Sequence, residues 1–294
     1  MIKTKPIVET ESTFQFASTV WIVVDFSDTT EPALDMGFRL ARAMSASVKL
    51  THIVKPPYEF SGRKESQLEA GKEGAYHTLS VIKEDYAARE PYQHIPIDIH
   101  LEEGATVATV LSLVKADSSS LLVLGFEIDE SASKGLFGNI TNQLIVESPV
   151  PVIAISSKET STMWDHVVYA TDFREEDRLL LRRAKTFANA LGADFECIHI
   201  KLPKDDIPTL HKSRMTLESE LNYEISVQLI SSQDFLDGVE GYLVGKPNTL
   251  LILSRNRLSF FEWLLAKPVA AEFARVQKIP LMMIPSSVQT TEAE

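Results

Sequence analysis

The chain has 294 residues, 44% hydrophobic and 24% charged, which is the composition of a soluble globular protein with about two domains. Its formal net charge of −12 argues against a general nucleic-acid surface, because phosphate binding needs clustered lysine and arginine. We expect no signal peptide and no membrane span, since no apolar run approaches the roughly 20 residues that cross a bilayer. The single cysteine, Cys197, is predicted to be a core side chain and favours a reducing, cytoplasmic location.

The two halves of the chain begin with the same strand pattern. The runs TVWIVVDFSD and HVVYATDFRE each end a buried strand in an Asp-Phe pair, at Asp25 and Asp172, which lie 147 positions apart. The next strands, VKLTHIV and FECIHI, place His52 and His199 at the same separation. Between the two strands, each half predicts a helix with one apolar stripe. The stripe residues are Ala33, Gly37, Leu40, Ala41 and Met44, and then Leu180, Ala184, Phe187, Ala188 and Leu191.

The separation between the two copies changes later in the chain. LLVLG ends at Gly125 and LLILS at Ser254, 129 positions apart, and the last strands PVIAI and PLMMI keep that separation. The second copy is therefore shorter than the first by the difference between these two separations. We assign the loss to the long helical segment 66–89, which corresponds to 205–221.

Each copy reads as five short strands alternating with four helices. Strands such as WIVV and LLVL are apolar on both faces, which is typical of central parallel strands covered by helices on both sides. The sequence therefore predicts an α/β fold of two tandem doubly wound domains with right-handed crossovers. The polar stretch 156–163 is the predicted linker, with a boundary near Ser161 that gives domains 1–160 and 161–294.

Three motifs resemble the universal stress proteins: the Asp-Phe-Ser after the first strand, the His-Ile/Val second strand, and the run GLFGNITNQLIVESPVPVIAI. The resemblance covers nearly the whole chain, once per copy. It implies that each copy is a five-stranded parallel sheet of order 3-2-1-4-5. It also implies association through the last strands, here PVIAI against PLMMI within one chain.

Nucleotide-binding members of that family carry a G-x2-G-x9-G-(S/T) motif after the fourth strand. Small residues there let backbone amides approach phosphates, and the last pair opens a helix whose N-terminus favours an anion. In the first copy, Gly125 and Gly138 match the first and third glycines, whereas Ile128 replaces the second and Asn139 the Ser/Thr. The first copy therefore keeps about half of this signature.

The resemblance also assigns ligand contacts outside the glycine motif. Those for adenine and ribose are Val23, Val24, Asp25 and Ile53, and those after the third glycine are Ile140 and Thr141. An aspartate at the end of a strand can instead cap the following turn, so both roles stay open for Asp25. Acidic residues would face a triphosphate and weaken its binding, with Mg²⁺ offsetting part of the repulsion. They are Glu127, Asp129 and Glu130.

The second copy departs further from the signature. The residues at its four motif positions are Ser254, Arg257, Lys267 and Pro268, and a proline at a helix start removes an amide that a phosphate would use. An apolar cluster is expected to plug the vacated cleft rather than contact a partner, because exposed patches of that size are uncommon. Its members are Phe260, Phe261, Trp263, Leu264 and Leu265. The loops DFSDTTEP and DFREEDR are acidic helix openings, suited to the positive end of a helix.

The sequence is compatible with two functions. In the first, the chain is a non-enzymatic stress-response or regulatory module that binds an adenine nucleotide or small ligand weakly in its first copy. In the second, it binds ATP with Mg²⁺ and hydrolyses it slowly or phosphorylates itself. We assign no catalytic residue and no metal site, since neither nucleophile-elbow, Walker A nor zinc-ligand spacing occurs. His52 and His199, being repeat-equivalent, are expected to share a structural role. An unidentified protein partner and a homodimer are left open, and neither nucleic acid nor a membrane is expected as a partner.

Overall fold

The computed structural model describes residues 16–56, 64–127, 139–157, 163–254 and 280–285. Its strands are β1 (Thr19–Val23), β2 (Ser47–Val54), β3 (Ile97–Glu103), β4 (Ser120–Phe126), β5 (Val152–Ser156), β6 (His166–Ala170), β7 (Asp194–Lys201), β8 (Val227–Ser231), β9 (Thr249–Ser254) and β10 (Leu281–Ile284). Its helices are α1 (Thr30–Met44), α2 (Lys64–Ala88), α3 (Thr106–Lys115), α4 (Asn139–Glu147), α5 (Asp177–Leu191), α6 (Ile207–Glu220) and α7 (Phe235–Leu243), with a short 3-10 helix at Glu90–Tyr92.

The ten strands form one sheet in which each half of the chain repeats the same order. The order is β3-β2-β1-β4-β5 and then β10-β9-β6-β7-β8, and every pair within a half is parallel. This confirms the α/β class and the predicted order 3-2-1-4-5. We call β1 to β5 with their helices the first repeat, and β6 to β10 with theirs the second repeat.

The two repeats meet where their last strands pair. β5 and β10 run antiparallel, with Ala154 opposite Leu281 and Val152 opposite Met283. This is the contact between last strands that the family resemblance implied. Each last strand therefore covers the sheet edge that the other would otherwise expose.

Helices cover both faces of the sheet because strand side chains alternate between them. In β1, Val20 and Ile22 pack in the layer that contains α1, α2, α5 and α6, whereas Trp21 packs in the layer that contains α3, α4 and α7. Both apolar layers include residues of the two repeats, so the core continues across the seam. Cys197 is buried in the first of these layers, as predicted.

The helix after the second strand distinguishes the two repeats. α2 has 25 residues and α6 has 14, which accounts for most of the shortening of the second repeat. The 3-10 helix at Glu90–Tyr92 and the connections account for the rest. The end of α2 is held down by Tyr86, whose ring stacks on Phe38 at 4.2 Å and whose hydroxyl donates to Asp35 at 2.5 Å.

Two expectations about this part of the molecule fall outside the described residues. They are the domain boundary near Ser161 and the apolar cluster at 260–265 that was expected to plug the second cleft. Over the ranges that the structure does describe, no helix is both long and apolar enough to cross a membrane.

Candidate functional site

A cavity of about 480 Å³ opens at the carboxyl ends of β1, β2 and β4 in the first repeat. It lies beside β1, where the strand order reverses, and open parallel sheets bind ligands at such switch points. Its lining residues are Val23, Val24, Asp25, His52, Ile53, Lys55, Thr106, Leu124, Gly125, Ile140, Thr141 and Leu144.

The structure brings most of the site residues expected from the sequence to this one cavity. Seven of them line it: Val23, Val24, Asp25, Ile53, Gly125, Ile140 and Thr141. Gly138 lies outside the described residues, as do Ile128, Asp129 and Glu130. Asn139 begins α4, but its side chain is not described, and Glu127 is exposed after β4.

Sequence reasoning did not assign the other five lining residues, although two simple rules would have indicated four of them. Lys55 follows β2 and Thr106 follows the turn after β3, so both lie near the carboxyl end of a strand, where ligands bind. Leu124 precedes Gly125 in β4, and Leu144 lies one helical turn after Ile140. The fifth, His52, was assigned a structural role alone.

Asp25 organises the turn that follows β1. Its Oδ1 accepts hydrogen bonds from the Ser27 backbone amide at 3.1 Å, the Ser27 hydroxyl at 2.7 Å and the Thr30 hydroxyl at 3.0 Å. The turn-capping role is therefore present in the structure. Asp25 is also exposed and lines the cavity, and its Oδ2 takes no part in these bonds. One oxygen can hold the turn while the other faces a ligand.

His52 and His199 make the same structural contact in the two repeats. His52 Nδ1 lies 2.7 Å from the Val24 carbonyl oxygen, and His199 Nδ1 lies 2.8 Å from that of Thr171. Because a carbonyl only accepts, each Nδ1 donates, which confirms the shared structural role. The ring of each histidine also packs on the phenylalanine of the Asp-Phe pair, with centroids 4.4 Å and 4.7 Å apart.

Those phenylalanines lie in a strained turn that both repeats share. Phe26 has a φ of 60° and Phe173 a φ of 58°, in the left-handed region that bulky residues rarely occupy. The histidine contact and the turn bonds hold this conformation in place. The turn carries the chain away from the sheet toward the following helix.

Gly125 has a packing reason that is independent of any ligand. A Cβ at this position would lie 2.4 Å from Thr29 Oγ1 and 2.6 Å from the Thr29 carbonyl oxygen. No side chain fits there unless the start of α1 moves. The glycine is therefore needed to let the chain before α1 cross the end of β4.

The corresponding strand end of the second repeat has a buried acid. Asp177, 1% exposed, accepts bonds from the Tyr169 hydroxyl at 2.7 Å, the Thr171 hydroxyl at 2.5 Å and two backbone amides, those of residues 172 and 174. Burial, together with the Asp177 charge, raises the pKa of Tyr169 well above its usual value. Ser254, in place of Gly125, makes a side-chain hydrogen bond with Tyr169. The polar groups of this region therefore bind one another.

Two further side chains of the expected site have counterparts here. Asp172 is partly buried and its backbone amide donates to Asp177 at 3.2 Å, while Ile200 is buried in the core. The remaining motif positions of this repeat, 257, 267 and 268, lie outside the described residues. Across the described parts of both repeats, no three His, Cys, Asp or Glu side chains are grouped so that they could hold a metal ion.

The fold and the cavity define a doubly wound α/β protein with a ligand crevice at its topological switch point. Residues 18–156 match the model of the universal stress protein family, so the first repeat belongs to that family. This confirms the resemblance found in the sequence. No curated protein matches the chain in sequence.

Solved structures show the same two-repeat arrangement over nearly the whole chain. A universal stress protein from Archaeoglobus fulgidus is 14% identical with a TM-score of 0.66, covering 92% of this chain and 97% of its own. A functionally unknown protein from Pseudomonas aeruginosa is 10% identical with a TM-score of 0.58, covering 92% and 93%. At these identities the similarity shows the fold alone.

Proposed function

We propose that the chain is a stress-response or regulatory module without enzymatic activity whose first repeat weakly binds an adenine nucleoside or nucleotide. The observation that carries this proposal is the cavity lined by seven of the residues that the family resemblance assigns to a nucleotide. Those residues come from three strands, the turn after β1 and one helix, so only the fold brings them together.

The chemistry of the cavity suits a purine nucleoside. Val23, Ile53 and Leu124 supply apolar walls for a flat ring, which is stabilised by burying its apolar surface against them. The Asp25 oxygen that the turn leaves unused is an acceptor for a sugar hydroxyl. Binding is weak because a carboxylate beside the ligand must exchange water for a neutral hydroxyl donor, and Glu127 disfavours a triphosphate.

The structure does not favour the alternative of an ATP-hydrolysing protein. Gly125 is the retained glycine of the motif that lies among the described residues and supports this alternative. The close approach of Thr29 is by itself sufficient to require a glycine at this position. Its presence is therefore no argument for phosphate binding.

We further propose a division into domains 1–160 and 161–294, a cytoplasmic location and action through a protein partner. The buried Cys197 fits a reducing compartment. Because β5 and β10 cover each other, a homodimer of this chain would have to form through a surface other than the last strands.

The test is a titration with adenosine and with ATP, with and without Mg²⁺, after released small molecules have been identified from denatured protein. We expect adenosine to bind at high-micromolar to millimolar concentration and ATP to bind no tighter than micromolar. Ile140→Trp fills the cavity mouth and should weaken adenosine binding by at least about tenfold. Leu179→Trp, on α5, is the matched control, since Leu179 and Ile140 are 38% and 39% exposed.

Two results would count against the proposal in different ways. If wild-type protein binds neither compound at millimolar concentration, the ligand assignment is wrong. If Mg²⁺-dependent ATP hydrolysis is measured and Ile140→Trp abolishes it while Leu179→Trp does not, the protein is an enzyme after all.

A further inference from the structure

We propose that two copies of the chain associate through the helical layer that contains α1, α2, α5 and α6, with the outer face of α5 in each copy against that of α2 in the other. The last strands, β5 and β10, are already paired within one chain, and the helical layer is a separate surface. The residues that carry this inference do not line the cavity, so it goes beyond the proposed function.

The outer face of α5 is positively charged although the chain as a whole has a formal net charge of −12. Arg178, Arg182 and Lys185 follow one another at helical spacing along one side, and both arginines are exposed. Neither arginine forms an ion pair with a carboxylate of the described residues. The one acid of α5 is Asp177, which is buried and bonded to uncharged hydroxyl and amide donors. The two arginines are therefore available to a partner.

An aromatic side chain lies beside this positive face. Lys185 Nζ donates to the Glu224 carbonyl oxygen at 3.3 Å, which places the loop after α6 next to α5. In that loop Asn222 and Tyr223 have φ values of 50° and 59°, in the left-handed region that bulky residues rarely occupy. Tyr223 is 68% exposed, so the strained loop leaves its ring in solvent. Tyrosine and arginine are the residue types that contribute most often to the binding energy of protein interfaces.

The outer face of α2 has the opposite charge. Glu73 and Glu84 are exposed and lie about three helical turns apart on one side of the helix. Neither forms an ion pair with a lysine or arginine in the described ranges. Tyr76 and Val81 lie on the same half of the helix and are 56% and 52% exposed. This face therefore offers carboxylates and apolar side chains, which complement the arginines and Tyr223 of the α5 face.

The fold places the two faces where a two-fold axis can join them twice. α2 packs over β2 and β3, α5 packs over β6 and β7, and α1 lies between these helices in the same layer. Within one chain, α1 therefore separates the two faces. A two-fold axis that brings the layers of two copies together places α5 of each copy against α2 of the other, so the same contact forms twice.

The first repeat shows that the fold does not require a positive face at this place. Asp35 of α1 stands 147 positions before Arg182. Its carboxylate accepts from the Tyr86 hydroxyl at 2.5 Å and from the Arg89 guanidinium at 3.2 Å, both near the end of α2. Over the described part of the second repeat, Arg182 has no such partner. The charge at this position is therefore opposite in the second repeat, and its partner must come from elsewhere.

The test measures self-association by sedimentation equilibrium. We expect wild-type protein to dimerise at about micromolar concentration in low salt, and more weakly as salt screens the charges. Arg182→Glu and Glu73→Lys each place like charges in both contacts and should raise the dissociation constant at least about tenfold. An equal mixture of the two variants should dimerise as tightly as the wild type. In the mixed pair, one contact has its charges exchanged and the other is that of the wild type.

Lys115→Glu and Glu147→Lys are the matched controls, because they make the same changes of charge at exposed residues of α3 and α4, in the opposite layer. Both should leave the dissociation constant unchanged, and circular dichroism should show all four variants folded, since each replaced side chain is exposed. A wild-type protein that stays monomeric at about 100 micromolar in low salt would overturn the proposal. So would a mixture that associates no better than either variant alone. Neither result affects the proposed ligand site.

Discussion

The two repeats hold the same strained turn with different acids, and the two acids differ in how far they are buried. In the first, Asp25 stands at the end of β1, exposed, and uses one oxygen for the turn. In the second, Asp177 reaches back from the first turn of α5 and is buried among hydroxyls and amides. One backbone conformation is thus compatible with an exposed acid or with a buried one.

A second difference is a reversed ion pair that ties the second strand to the segment before the fourth. Lys49 bonds Asp117 at 3.2 Å in the first repeat, and Glu196 bonds Lys246 in the second. The strand residues lie 147 positions apart and their partners 129 apart, so the pairs are equivalent with exchanged signs. Both repeats therefore have an attractive ion pair at this position, although the two charges are exchanged.

The largest expected difference between the repeats comes from deleting the buried acid. Asp177→Ala leaves two hydroxyl and two amide donors without their acceptor, and should lower the free energy of unfolding by about 3–5 kcal/mol. Thr30→Ala, at the equivalent position of α1, removes one exposed hydrogen bond and should cost about 1 kcal/mol or less. Urea unfolding followed by circular dichroism measures both, and equal losses would show that the two turns are held alike.

Exchanging the residues at the end of the fourth strand should give the next largest effect. Gly125→Ser forces a Cβ against the backbone of Thr29 and should cost about 2–3 kcal/mol. Ser254→Gly loses a hydrogen bond to Tyr169 and should cost about 1 kcal/mol. Thermal unfolding of the two variants measures both losses of stability. A harmless Gly125→Ser would mean that the start of α1 moves easily.

Reversing one charge of an ion pair should cost less. Lys49→Glu places like charges together at a site about one-fifth exposed and should cost about 1–2 kcal/mol. The double reversal of Lys49→Glu with Asp117→Lys imitates the second repeat and should recover all but about 0.5 kcal/mol of it. A double-mutant cycle in urea supplies the coupling energy, and a coupling near zero would remove the electrostatic reason for the exchange.

The smallest effect is a pH dependence confined to the second repeat's pair. Burial alone would raise the pKa of Glu196, but the hydrogen bonds with Lys246 and Tyr242 and the charge of Lys246 together outweigh it and leave that pKa below its ordinary value of 4.5. The stabilisation is therefore complete above the unfolded-state pKa and is lost as the pH falls through the lower folded-state value. Glu196→Gln should remove about 1 kcal/mol or less of the acid sensitivity of unfolding, measured from neutral pH to about 3. Lys246→Met should remove it too, and an unchanged profile in both variants would refute the assignment.

The repeat and the sheet order could be predicted because apolar periodicity fixes them locally. α1 and α5 begin and end 147 positions apart, as the two stripes indicate. The length of α2 was harder to predict, since its exposed face carries little periodicity. The shortening of the second repeat is also shared with a 3-10 helix and with connections that have no clear pattern.

Residues of the site could be predicted only where they lie at the end of a strand or match a position of the family's motif. Lys55 and Thr106 line one cavity, and the Gly104 amide donates to the Val54 carbonyl oxygen beside them, a bond between distant backbone segments that no local pattern contains. The acidic loop DFREEDR is predicted to be a helix opening suited to the positive end of a helix. In the structure Glu175 is exposed and Asp177 is buried, and sequence alone does not tell which of several adjacent carboxylates will find donors inside the protein.

The pairing of β5 with β10 within one polypeptide has a consequence for how the molecule can vary. A seam between two separate copies would dissociate on dilution and would impose every substitution on both sides at once. Here the joining is independent of protein concentration, and each side is encoded separately. One half can therefore bury an acid among polar groups while the other keeps an exposed acid in its cavity.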